Sequence, residues 1–216
     1  MFNNKFNNGG AMKNSQYNLG SVSRPMLDDE EHDGPSPEIT DIGNEIFFYS
    51  PVINPSVLKL NRKLREMDSN ISQLRTSVRG ANIPIVLRIN SGGGHLFDGF
   101  AAMDAIRNCV NPVHTVVDGA AASAATLMSV VGHKRLMNAH SFMLIHQLSG
   151  GMWGKFEEMQ DSMKNSKLLM DTIASVYTKY TKIPQKILDE TLKRDLWLDA
   201  KTCKKYGLID EIIHHS

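Results

Sequence analysis

Long apolar runs are absent from this sequence, which excludes an ordinary membrane-spanning helix. No stretch approaches the roughly 18 apolar residues that such a helix needs. The first residues are polar, so we expect no secretory signal. An excess of one charge is also lacking, because 24 Lys and Arg face 23 Asp and Glu for a formal net charge of +1. This balance favours neither nucleic acid nor an anionic membrane as a partner.

Cysteine is equally scarce. Cys109 and Cys203 each stand alone in an apparently helical segment, so we expect reduced thiols in a cytoplasmic protein. No group of Cys and His has the spacing of zinc ligands, and we expect neither a metal nor another cofactor. What is present, 216 residues with 41% hydrophobic content, suits one soluble domain with a proper core.

The chain divides into a polar arm and a folded domain. Residues 1–40 begin with a run rich in Asn and Gly, carry an acidic stretch at 28–31 and contain Pro35 and Pro37. This composition is typical of a disordered leader, a docking tail or a propeptide. Residues 41–216 carry the apolar strand-like runs and the helical periodicity of an α/β domain.

The expected elements begin with a strand at 45–49. They continue with a helix at 56–77, a buried strand at 83–89, a helix from Leu96, a strand at 114–117, a helix at 124–131 capped by Gly132, strands at 134–137 and 141–145, and a long helix at 155–180. A short helix from Pro184, an extended piece at 194–198, a last helix between Asp199 and Gly207 and a strand at 208–213 complete the domain. At about 39 Å the long helix should project and pack against another subunit, unless it bends over its own core.

Ser123 stands in the most informative stretch, Asp-Gly-Ala-Ala-Ala-Ser-Ala-Ala. It is expected between a β-branched strand and an apolar helix, and its small neighbours allow a tight turn and a close approach by other groups. Free backbone N–H groups and the positive end of a helix dipole suit a nucleophile with an oxyanion site beside it. An ordinary helix N-cap is the alternative.

Two further segments have several interpretations. The glycine-rich turn at 90–94 follows a strand and precedes a helix, so it could cradle a phosphate, offer a backbone N–H to an oxyanion or serve only as a sharp turn. His146 ends an apolar strand at the sheet edge where active sites collect, although a structural histidine would fit there too. His95 is expected to be a surface or capping residue.

Four separated pieces together resemble the proteolytic subunits of the Clp proteases. The segment around Ser123 resembles the nucleophile segment of that family, and Met-Leu-Ile-His-Gln, which ends at Gln147, resembles its histidine segment. Arg-Asp-Leu-Trp-Leu-Asp-Ala, from Arg194, resembles the aspartate segment, and Asn-Ser-Gly-Gly-Gly at 90–94 resembles the glycine turn. The pieces occur in unbroken order over residues 45–213.

The resemblance implies a crotonase-like fold of stacked ββα units with a projecting handle helix at about 155–180. It implies a serine endopeptidase that cleaves unfolded polypeptides, with Ser123 as nucleophile, His146 as general base and Asp195 as the residue that orients it. The implied oxyanion donors are the backbone N–H groups of Gly93 and Ala124. The implied substrate-binding positions are Gly92, Gly94, Leu148, Ser149 and Gly150, and the loop 147–154 matches the stretch that pairs with bound peptide.

The resemblance also implies a homo-oligomer, a tetradecamer of two stacked heptameric rings, that an AAA+ unfoldase feeds. The sequence departs from the family pattern at Gly92, where Pro is usual, and at His95, where a small residue is common. Residues 1–44 do not resemble the family's axial gating segment. A stand-alone peptidase and a non-catalytic ring subunit or scaffold therefore remain alternatives, as do an acyl-coenzyme A enzyme of the same fold and a serine–lysine peptidase using Lys134.

Overall fold

The computed structural model describes residues 39–78 and 83–214, so nearly all of the expected polar arm lies outside the described residues. Ordered structure begins before the strand expected at Glu45. Ile39 is buried, and strand β1 (Thr40–Ile42) pairs antiparallel with β2 (Glu45–Phe48). All three residues of β1 are exposed, which explains why no apolar alternation predicted this strand.

A mixed sheet organises the described part of the chain. After β1 and β2 its strands are β3 (Ile85–Ser91), β4 (Val113–Ala122), β5 (Lys134–Asn138), β6 (Phe142–Leu144), β7 (Trp197–Asp199) and β8 (Glu211–Ile213). The hydrogen-bonded order is β1-β2-β3-β4-β5-β8, and every pair from β2 to β8 is parallel. Strand β6 is a parallel neighbour of the carboxyl end of β4, and β7 pairs antiparallel with β6.

The helices follow the predicted positions closely. Helix α1 (Asn54–Ser77) buries one apolar stripe, as its periodicity predicts. The Asp199 side chain caps the last helix by accepting a hydrogen bond from the N–H of Thr202, and Gly207 ends that turn at φ +64°, which confirms both predictions. The helices are α1 (Asn54–Ser77), α2 (Leu96–Arg107), α3 (Ala124–Val130), α4 (Phe156–Tyr180), α5 (Gln185–Leu192) and α6 (Ala200–Lys205).

Strand β4 is longer than predicted and runs directly into α3. The β-branched run predicts a strand at 114–117, but the strand continues through the alanines to Ala122. Ala120, Ala121 and Ala122 pair with β6, and this tertiary pairing outweighs the low strand propensity of alanine. Ser123 therefore follows the last residue of a strand with no loop between them.

Gly132 has a different role from the one predicted. The cap of α3 is Val131, at φ −95°, and Gly132 has no left-handed backbone conformation. An alanine methyl group at position 132 would lie 2.4 Å from the Thr115 hydroxyl oxygen. The glycine is required for close packing against β4.

Helix α4 is about 38 Å long and buries only part of its length. Its buried residues, Ile173, Val176 and Tyr177, all lie in its second half. Its first half exposes Phe156, Met159 and Met163 to solvent. The first half therefore projects from the domain, as predicted. Among the described residues, no helix has the length and hydropathy to span a membrane.

Arg135 joins three separate parts of the fold. Its guanidinium donates hydrogen bonds to the carbonyl oxygens of Tyr180 and Gly207 and to the carboxylate of Asp210. Burial alone would raise the pKa of Asp210, but the hydrogen bonds and charge of Arg135 outweigh it and hold that pKa below its ordinary value. The ion pair fastens the last strand to β5.

Because the pKa of Asp210 is lower in the folded chain, the stabilisation is complete at neutral pH and is lost as pH falls through the lowered value. We expect Asp210→Asn to reduce the Tm by about 2–4 °C near pH 7. The difference from wild type should shrink toward about pH 3. Thermal unfolding across this range is the measurement, and Asp161→Asn, which removes an exposed pair with Lys164, is the control. A difference that stays constant with pH would contradict the assignment.

Candidate active site

Strand register brings the three residues of the predicted triad to one edge of the sheet. Ala122 of β4 pairs with Leu144 of β6, and Leu144 pairs with Trp197 of β7. Two residues beyond Leu144 lies His146. The antiparallel register of β6 and β7 then places His146 opposite Asp195, while Ser123 follows directly after Ala122. Ser123 and His146 therefore lie beyond the carboxyl ends of two parallel strands, and Asp195 joins them from before the amino end of the antiparallel strand β7.

The same register brings the glycine turn beside the serine. Ser91 of β3 pairs with Ala121 of β4, so Gly93 falls next to Ser123. A methyl group at position 93 would lie 2.7 Å from the Ser123 Cβ and 2.6 Å from the Ala122 carbonyl oxygen. Gly93 also has φ +93°, a conformation that glycine adopts without a steric cost. Both observations explain why this position has no side chain.

Ser123 has a backbone conformation rare for its residue type. It is the one non-glycine residue with positive φ in the described part of the chain, at φ +52° and ψ −126°. Its N–H donates to the Leu144 carbonyl at 2.9 Å, and its carbonyl accepts the Thr126 N–H at 2.9 Å. The side chain makes no capping hydrogen bond to α3 and is half-buried. Ser123 therefore occupies the N-cap position of α3, but its side chain does not cap the helix as the alternative interpretation predicted.

His146 and Asp195 face each other across a gap. The imidazole is 13% exposed, and its Nδ1 lies 3.7 Å from Oδ1 of Asp195. This is an ion-pair distance but exceeds a hydrogen bond. Asp195 is 79% exposed. Within the described residues the Ser123 hydroxyl has no hydrogen bond to His146. The side chains of His146 and Asp195 are neighbours, and an inward movement of about 1 Å by the carboxylate would give a hydrogen bond to the imidazole.

A buried serine supports the glycine turn. The Ser91 hydroxyl donates to the Ser50 carbonyl at 2.7 Å and accepts the Gly93 N–H at 3.2 Å. Val52 holds the other side, because its N–H donates to the Gly93 carbonyl and its carbonyl accepts the His95 N–H, both at 2.8 Å. No sequence pattern predicted a role for Ser91 or Val52 in supporting the turn. The available signal was the apolar alternation of Leu87 and Ile89 along β3, because Ser91 is the next residue on the same face.

The residues flanking this turn differ in their surroundings. Position 92 is open, since a methyl group there would meet no atom within 4 Å. Gly94 packs directly on the Val52 backbone. His95 is a surface residue at the start of α2, as expected, with Nδ1 3.2 Å from the Asp98 carboxylate. Ala124 is buried against Gly99 of α2, so small residues on both helices allow α2 to approach the serine.

The loop 147–154 is anchored at its beginning and open further along. The N–H of Gln147 donates to the Leu192 carbonyl at 2.7 Å, and the N–H of Leu148 donates to Sδ of Met170 at 3.1 Å. Leu148 and Ser149 are half-buried. Gly150 is exposed, and a methyl group there would meet nothing within 4 Å. The loop forms no strand in the described structure.

The cysteines of the described residues are half-buried or buried and lie in no cluster of possible metal ligands. No group of three His, Cys, Asp or Glu side chains in residues 39–78 and 83–214 lies close enough to hold a metal ion. Both cysteines are free, and burial raises the pKa of Cys109 to about 11 and that of Cys203 to about 12. These thiols stay protonated at neutral pH and are poor nucleophiles.

An α/β subunit that places a strained serine and a histidine after neighbouring parallel strands fits the class of serine-type endopeptidases. The family model for Clp protease matches residues 49–216, and the chain belongs to that family. It is 31% identical over 172 residues to the ATP-dependent Clp protease proteolytic subunit 1 of Chlamydia pneumoniae, covering 78% of this chain and 85% of the relative.

Two further comparisons agree. The ATP-dependent Clp protease proteolytic subunit of Deinococcus radiodurans is 34% identical over 131 residues, which cover 60% of this chain and 64% of the relative. The solved structure of a ClpP1 mutant from Listeria monocytogenes superimposes with a TM-score of 0.68 at 24% identity, covering 80% of this chain and 92% of that chain. This structural match confirms the crotonase-like fold predicted from the four motifs.

Gly93→Ala tests the contact between the glycine turn and the serine. The added methyl group would collide with the Ala122 carbonyl and the Ser123 Cβ, and the positive φ would be strained. We expect a Tm several degrees lower and a loss of at least about tenfold in the reactivity of the Ser123 hydroxyl toward a phosphonate. In Gly92→Ala the methyl group points into open space, so its Tm should match wild type. Equal Tm values for both variants and wild type would show that a methyl group at position 93 does not collide with Ser123 and Ala122.

Proposed function

We propose that this chain is the proteolytic subunit of a Clp-type compartmentalised protease and hydrolyses peptide bonds of unfolded polypeptides. The observation that carries this proposal is the register that aligns Ser123, His146 and Asp195 along one sheet edge, with Ser123 in a strained turn at the strand end. Packing does not require a positive φ at a serine. Such strain is maintained where it places a reactive group.

The chemistry assigned to the three side chains is nucleophilic acyl transfer. The Ser123 hydroxyl oxygen attacks the peptide carbonyl carbon while His146 takes the hydroxyl proton, and His146 then returns the proton to the leaving amine. Nδ1 of His146 faces Asp195, so the other ring nitrogen, Nε2, is the one assigned to the serine. Asp195 fixes this tautomer and stabilises the imidazolium. Water then attacks the acyl-enzyme and releases the second product.

The oxyanion is assigned to the backbone N–H groups of Gly93 and Ala124. Gly93 lies against Ser123, and its N–H makes only a long 3.2 Å hydrogen bond to the neutral Ser91 hydroxyl. A negatively charged oxygen is a stronger acceptor and can replace this contact. Gly92, Gly94, Leu148, Ser149 and Gly150 are assigned to the peptide on the two sides of this site, with the open loop backbone pairing as an added strand.

Oligomeric assembly and partnership with an ATPase are properties of the family. For this chain we propose stacked heptameric rings fed by an AAA+ unfoldase. The support lies in the first half of α4, where Phe156 is 66% and Met163 is 58% exposed. A contiguous apolar face of this kind on a soluble subunit favours burial against another copy. Because the rings enclose the active sites, only unfolded polypeptides can reach them.

A non-catalytic ring subunit is the second candidate, and one observation favours it. The carboxylate of Asp195 is exposed and lies 3.7 Å from His146, so the triad is not closed by hydrogen bonds in the isolated subunit. A scaffold would keep this arrangement in the assembled ring. A catalytic subunit would close it when the ring or the substrate covers Asp195.

Phosphonate labelling read by intact mass separates the two candidates. We expect one adduct on the wild-type chain and none on Ser123→Ala, because only a base-activated hydroxyl reacts. Ser129→Ala is the matched control, since Ser129 is buried in α3, the helix that follows Ser123, and its hydroxyl has no partner among the described residues. Wild-type chain that stays unlabelled, both as isolated and after removal of residues 1–38, which leaves the buried Ile39 and strand β1 in place, would support the scaffold instead.

The base and its orienting carboxylate are tested by peptide hydrolysis. We expect His146→Ala and Asp195→Asn each to lower kcat by about 10³-fold or more with ring assembly retained. His140→Gln and Asp189→Asn alter an exposed histidine and an exposed carboxylate away from the serine and should leave kcat unchanged. A kcat within tenfold of wild type for either triad variant would refute its assignment.

Assembly is tested on the exposed face of α4. We expect the double variant Phe156→Glu, Met163→Glu to lose the double-ring mass in native mass spectrometry, because burying two unpaired carboxylates opposes the contact. Asn165→Glu places a single charge on the opposite side of the same helix and should retain the wild-type mass. A monomeric wild-type chain would contradict the proposed rings.

A further inference from the structure

We propose that Thr126 and Tyr177 are positioning residues that fix the carbonyl group of Ser123 and so hold the nucleophile in its strained turn. The inference rests on the proposed peptidase function and assigns two side chains outside the triad and the oxyanion site. Thr126 lies in the first turn of α3, and Tyr177 lies in the buried second half of α4. The resulting connection runs from the projecting helix to the nucleophile.

The contacts form an unbroken chain of three groups. The Thr126 hydroxyl donates to the Ser123 carbonyl oxygen at 2.6 Å, beside the 2.9 Å bond from the Thr126 backbone N–H to the same oxygen. The Thr126 hydroxyl oxygen also lies 2.5 Å from the Tyr177 hydroxyl. The Ser123 carbonyl therefore receives two hydrogen bonds from one residue, and a second side chain fixes that residue.

Proton accounting gives the direction of each bond. A threonine hydroxyl has one proton, and the Ser123 carbonyl, which can only accept, takes it. The Tyr177 hydroxyl must then donate to the Thr126 oxygen. Burial raises the pKa of Tyr177 far above its ordinary value, so this hydroxyl keeps its proton at any pH at which the enzyme would work. Each of the two hydroxyl protons is thus donated once, and the Ser123 carbonyl oxygen accepts from both the N–H and the hydroxyl of Thr126.

Both side chains are inaccessible to solvent. Thr126 is fully buried, and Tyr177 is 2% exposed. Water therefore cannot replace either hydroxyl, and loss of one leaves a buried polar partner unsatisfied. Buried hydrogen bonds of this kind are needed where a residue occupies an unfavourable backbone region. The Leu144 carbonyl holds the N–H side of Ser123, and Thr126 with Tyr177 holds the carbonyl side.

The experiment measures phosphonate labelling rates and peptide hydrolysis on the full chain. We expect Thr126→Val, which keeps the side-chain shape, to slow labelling about tenfold, equivalent to ~1.4 kcal/mol of barrier. The loss should appear in kcat with KM unchanged, because the substrate-binding backbone is untouched. Thr126→Ser, which keeps the hydroxyl, should restore the rate to within about twofold of wild type.

A matched control separates positioning from stability. Thr115→Val also deletes a buried threonine hydroxyl that bonds a carbonyl of α3, but that carbonyl belongs to Ser129. We expect both valine variants to lower the Tm similarly and only Thr126→Val to slow labelling. Equal slowing by both, or a labelling rate within twofold of wild type for Thr126→Val, would overturn the inference.

Tyr177 is tested by non-additivity. Tyr177→Phe should slow labelling about threefold, and Tyr180→Phe, one turn along α4, should not. The double variant Thr126→Val, Tyr177→Phe should be no slower than Thr126→Val alone, since Tyr177 acts through Thr126. If the losses in the double variant are additive, Tyr177 does not act through Thr126. If Thr126→Val fails to fold, the two tyrosine variants decide the question. A wild-type chain that is not labelled would instead refute the proposed function.

Discussion

The positive φ of Ser123 is the constraint on which the rest of the structure depends. A serine in this region costs about 1–3 kcal/mol, so the fold must supply contacts that no other conformation would satisfy. Those contacts come from three directions: the Leu144 carbonyl, the Thr126 hydrogen bonds and the glycine turn that leaves space beside the serine. Strand β4 continues through three alanines to deliver the chain to this point. Small residues there allow neighbouring backbones to approach.

Much of this arrangement was predictable from local pattern, and the rest was not for physical reasons. Helix α1 and the cap at Asp199 follow periodicity and capping chemistry, which act over a few residues. Strand β1 was not predicted because it is short and exposed. The end of β4 was not predicted because its alanines become a strand only by pairing with β6. Within the site, four motifs identified the candidate triad. The contacts of Ser91, Val52 and Tyr177 join residues far apart in the chain, and no spacing rule encodes them.

The isolated subunit leaves two complementary surfaces open. The first half of α4 exposes large apolar side chains, and the carboxylate of Asp195 is exposed to solvent. Apolar area favours burial, and a solvated carboxylate attracts an imidazole only weakly. Assembly that buried the α4 face would stabilise the subunit, and assembly that covered Asp195 would strengthen its attraction to His146. Stability and catalysis would then depend on the same event.

The strand register has a consequence for how this chain can change over generations. Ser123, His146 and the segment of Asp195 are placed by backbone pairing, and the strands that carry them are joined by turns and helices. Insertions or deletions in the exposed loop 147–154 would alter length without moving the pairing. A single-residue insertion inside β6 would turn alternate side chains to the opposite face and separate the base from the nucleophile. Variation in length is therefore confined to the connections, and the strands themselves accept substitution only.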